Sequence, residues 1–90
     1  MLSTVARALH LSEEEVLKQG LRSFLEHQLR EVKAEIFAIS GRYGVSSVEE
    51  MEARYRDGTL EEADSWRDLQ HLDHLEYKRD SLLQLLETVT

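Results

Sequence analysis

The stretch from Leu60 to Val89 constrains this chain most, because it reads as a single helix about thirty residues long with a continuous apolar stripe. Leu72, Leu75, Leu82, Leu86 and Val89 recur at spacings of three, four and seven, and Trp66 and Leu69 extend the stripe toward its start. At a rise of about 1.5 Å per residue such a helix is about 45 Å long, longer than a compact ninety-residue globule is wide. A second long helix must lie against it, from the same chain or from another copy.

The first half supplies a candidate. Leu11, Ser12, Glu15 and Val16 form a helix start in which Ser12 and Glu15 make a capping box and Leu11 staples onto Val16. Behind it Val16, Leu17, Leu21, Phe24, Leu25, Leu29, Val32, Ile36 and Ile39 return at helical spacing, with Phe37 broadening the face. Gly20 interrupts this helix at a cost of up to about 1 kcal/mol, which either marks a close helix approach or is simply tolerated. Gly41 and Gly44 bracket the expected stop. Ser46 and Glu49 repeat the capping box ahead of a short helix ended by Asp57 and Gly58, and Thr59 with Glu62 is expected to cap the last helix.

The expected fold is therefore all-α over one domain, 1–90. A short helix or arm covers about 2–9, a long helix 13–40, a short helix 47–56 and a long helix 60–88. The two long helices form an antiparallel hairpin, and two copies pack into a four-helix bundle. Leu17, Leu21, Phe24, Val32, Ile36, Leu69, Leu72, Leu75, Leu82 and Leu86 are the candidates for core or dimer packing. The homodimer follows from size: ninety residues without a single cysteine hide too little surface to be strongly stable alone, and disulfides are excluded.

Charge narrows the partners. The net charge is −7, yet residues 1–44 hold six bases and six acids, so the whole excess lies in 45–90. An acidic surface disfavours nucleic acid and suits a basic protein partner. No run is long and apolar enough for a membrane span or a secretory signal, so a cytoplasmic location is expected. A DNA-binding regulator, suggested by Arg22, Arg30 and Lys33 on a helix behind a short first one, is the weakest reading, since there is no basic aromatic patch.

Catalytic signals are absent from the pattern. Ser12, Ser46 and Thr59 are accounted for as caps, His10 and His27 are isolated, and no glycine-rich phosphate loop follows a strand. Asp64, Asp68 and His71 share a helical face and His74 lies near, but the inward stripe is aliphatic and a solvated polar face has the same look. The expectation is no enzyme, no metal and no cofactor. Trp66 and Tyr77, eleven residues apart, mark one flank of the last helix; they either form an interaction hot spot or cap a core beneath the short helix.

The segment RYGVSSVEEMEARYRDGTLEEADSWRDLQHLDHLEYKRDSLLQLL, residues 42–86, resembles small helical bacterial and archaeal proteins encoded beside candidate toxins of toxin–antitoxin modules. The shared features are the Tyr43-Gly44 turn, the acidic short helix Ser47 to Tyr55, Gly58, and a final helix with Trp66, Asp68 and Glu76-Tyr77-Lys78. This chain departs in having Tyr77 where that group often has tryptophan, and in lacking the more acidic, less defined linker that commonly precedes the group's final helix. The resemblance implies an antitoxin-like protein that binds and neutralises a cognate, basic toxin, with Trp66, Asp68, Asp73, Glu76 and Tyr77 as its contact surface. The alternative is a self-associating structural or adaptor protein without an inhibitory role.

Overall fold

The computed structural model describes residues 1–89, and these form four helices: α1 (Leu2–Leu9), α2 (Glu13–Tyr43), α3 (Val48–Asp57) and α4 (Glu62–Val89). The fold is all-α, as the periodicity requires. α2 and α4 pack along each other; Leu17 lies beside Val89 at one end and Arg42 beside Asp68 at the other, so the pair is antiparallel. α3 leans on α4 and α1 on α2. The result is a rod of 61 × 19 × 16 Å with a radius of gyration of 18.9 Å.

The core is one strip between the long helices, capped at one end by α3. Leu29, Val32 and Ile39 of α2 meet Leu72, Leu75 and Leu82 of α4, and Val45, Val48 and Met51 close the strip; Leu72 and Met51 are completely buried. Leu25, Ile36, Leu69 and Leu86 pack around it. The outer part of the expected stripe is not in this core: Leu17 and Leu21 are exposed beside the last turn of α4, and Phe24 is exposed because it sits about 90° around α2 from the buried residues. Phe37, expected to broaden the buried face, is 80% exposed. It sits about 130° around the helix from the buried residues, at 100° per residue.

Three boundaries differ from expectation for local reasons. α2 runs through Gly41 and stops at Gly44, which takes the left-handed conformation (φ 65°) and returns its N–H to the Ser40 carbonyl. Arg54 of α3 then donates to the carbonyl oxygens of Tyr43 and Gly44, 2.9 Å each, so the last carbonyls of α2 are satisfied from a neighbouring helix.

The second capping box is displaced by one residue. Ser47, not Ser46, is the N-cap of α3 and accepts from the Glu50 N–H at 3.1 Å, while Ser46 donates through its own N–H to Glu50 Oε2. Glu49 is left exposed. This register turns Val48 and Met51 inward. Thr59 does not cap α4: its N–H and hydroxyl both donate to Asp57 Oδ1, at 2.9 and 2.6 Å, in a tight turn around Gly58, and α4 begins only at Glu62. The Ser12 cap is as expected, with the Glu15 N–H 3.0 Å from Ser12 Oγ. Gly20 has nothing within 4 Å of where a Cβ would stand, so no helix of this chain approaches it closely.

Candidate protein-interaction surface

α4 presents three different sides, and its five candidate contact residues divide among them. Asp68 faces α2, where its Oδ2 accepts from Arg42 Nη1 at 2.8 Å and from the Tyr43 hydroxyl. Those two donors, Tyr43 first, hold the Asp68 carboxyl below the usual carboxylate range, and the same bond raises the Tyr43 hydroxyl above its ordinary value. Glu76, two turns on, faces α3 and accepts the Val48 N–H at 3.1 Å. It satisfies an amide that the first turn of α3 leaves open, and its charge suits the positive end of that helix. Both acids thus work inside the fold rather than on an outer surface.

Trp66, Asp73 and Tyr77 remain on the outside. Their spacings of seven and four put them on one line, with Gln70 between, along the side of α4 turned away from α2. Trp66 is 41% and Tyr77 73% exposed, so neither caps the core beneath α3. The Arg67 guanidinium lies 5.7 Å from the Trp66 ring centroid. Around this line lie Glu62 and Asp80, also exposed.

Sequence reasoning missed the polar joint that fixes this surface. Ser65, almost fully buried, donates to the Glu61 carbonyl at 2.8 Å, leaving its oxygen to accept the Tyr55 hydroxyl at 2.7 Å. With Arg54, Arg42 and Tyr43 it ties α3, α2 and the first turn of α4 together. One signal was present: Ser65 occupies an apolar register position, four residues before Leu69 and seven before Leu72.

The polar groups weighed for a metal are dispersed. Asp68 is held by Arg42 and Tyr43, and His71 Nε2 lies 3.7 Å from Glu35 of α2. Among the described residues no three His, Asp or Glu side chains are grouped to hold an ion, and no helix is long and apolar enough to cross a membrane.

The joint carries an expected pH dependence. Because the folded pKa of Asp68 is depressed, its stabilisation is complete above the unfolded value of about 3.9 and is lost as pH falls through the lower folded value. Asp68→Asn should cost about 1 to 2 kcal/mol at pH 7, the side chain being 30% exposed, and should flatten the loss of stability as pH falls below about 4. Thermal melts across that range check it; an unchanged acid slope in the variant would refute the assignment.

Taken together, these features define a class: an elongated helical hairpin with a short bridging helix and an acidic, aromatic outer side. The chain belongs to the uncharacterized protein MJ0235 family, whose model matches residues 1–90. No curated protein and no solved structure matches it.

Proposed function

We propose that this chain is a non-catalytic protein-binding module, antitoxin-like in character, that engages a basic partner through the outer line of α4. The observation that carries the reading is the pair Trp66 and Tyr77, exposed and seven-plus-four residues apart on a rigid helix, with Asp73 between them. Two large aromatics that the fold does not use are the residue types that anchor protein interfaces, and the acids beside them favour a positively charged partner by steering. Rigidity adds to this, since a helix held along most of its length loses little entropy on binding. Neutralisation of a toxin is the finer part of the proposal and rests on the resemblance of residues 42–86; a cytoplasmic setting goes with it.

The test is capture of the product of a neighbouring gene by the purified chain, compared with Trp66→Ala and Tyr77→Ala. Each substitution should weaken capture at least tenfold while shifting the melting temperature by no more than a few degrees. Equal capture by all three proteins would sink this surface, and failure of the wild type to bind or neutralise that product would sink the toxin reading.

A further inference from the structure

At the end of the rod far from α3, the chain leaves an apolar surface that its own helices do not cover. Leu17, Leu21 and Phe24, spaced four and three, share one side of α2 and are 54%, 48% and 60% exposed. Leu17 and Leu21 line a shallow groove with Val89 of α4, and Leu85, 50% exposed, lies one turn before Val89 on the same strip. Gly20 stands between Leu17 and Phe24 on the helix surface, three residues after one and four before the other. Nothing comes within 4 Å of its would-be Cβ. A mid-helix glycine that no intramolecular neighbour requires, set among exposed leucines and a phenylalanine, makes room for a backbone from outside.

We infer that this end is the dimer interface, occupied by the same end of a second copy whose α2 crosses at Gly20. The inference concerns a different surface from the outer line of α4 and stands without it. Area argues for a second copy: the accessible surface is 6681 Å², against about 5,400 Å² for a compact monomer of 10.5 kDa. The surplus, about 1,300 Å², is what each partner of an obligate homodimer buries.

Charge argues for this end. Residues 2–27 and 78–89 hold five bases and six acids, whereas 28–77 hold six bases and twelve acids. Two copies of a chain with net charge −7 repel each other least where that charge is nearly balanced. A strongly basic partner, by contrast, gains nothing from this end.

The experiment is the solution mass by sedimentation equilibrium from 1 to 100 μM, on the wild type and three variants. The wild type should weigh twice 10.5 kDa. Phe24→Glu and Gly20→Lys should each raise the dimer dissociation constant at least tenfold while keeping the helical circular dichroism. Both sites are open in the single chain, and lysine is the better helix former than glycine, so Gly20→Lys weakens the dimer without weakening the helix. Tyr77→Glu should leave the dimer unchanged. A wild-type mass of one chain at 100 μM would overturn the proposal; so would a dimer that survives both Phe24→Glu and Gly20→Lys, or one that Tyr77→Glu dissociates.

Discussion

Truncation of Leu72 to alanine is expected to remove about 2 to 5 kcal/mol of stability, the largest effect of any single apolar change in α4. Leu72 is completely buried between α2 and α4, so its removal leaves a cavity that two long, packed helices cannot easily close. A ninety-residue domain has about 5 to 13 kcal/mol in all, so the variant should be partly unfolded at 37 °C. Urea denaturation followed by circular dichroism reads the change. Phe37→Ala serves as the reference: at 80% exposure it should fall within about 0.5 kcal/mol of wild type. A Leu72 variant as stable as the Phe37 variant would mean that the strip is not the core.

Met51→Ala should produce a loss of similar size with a different distribution. Met51 is the completely buried residue of α3, a helix of ten residues, too short to persist without packing. Its truncation should release α3 before the hairpin melts. Amide exchange in 48–57 should then accelerate by a factor of ten or more, while the amides of α2 and α4 around Leu29 and Leu75 keep their protection. Uniform acceleration through all four helices would show instead that α3 and the hairpin form one cooperative unit.

Much of this architecture was legible in the residues, and the failures share a cause. Apolar periodicity located both long helices and their shared face, because that signal depends only on neighbours in sequence. It could not tell which part of the α2 stripe α4 would reach, so Leu17 and Leu21 read like Val32 and Ile36 although the partner helix ends beside them. The cap at α3 was ambiguous because Ser46 and Ser47 are followed at the same distance by Glu49 and Glu50; burial of Val48 and Met51 decides between the two registers. Thr59 read as a cap until the nearer acceptor, Asp57, claimed both of its donors.

The candidate surface was half legible. Tyr77 and Asp73 lie on the outside, and so does Trp66, which read as the start of the leucine stripe but sits about 150° around the helix from Leu72, Leu75 and Leu82. Asp68 and Glu76 looked equally external because their partners, Tyr43 and Val48, are 25 and 28 residues away, beyond any local pattern.

The rod shape has a practical consequence for transport. A compact chain of ninety residues has a radius of gyration of about 12 Å, and 18.9 Å is the value of a compact chain of roughly 290 residues. A single copy should therefore leave a size-exclusion column well ahead of globular standards of its own mass. Its tumbling should also be anisotropic, with amide vectors along the helices relaxing slowly together.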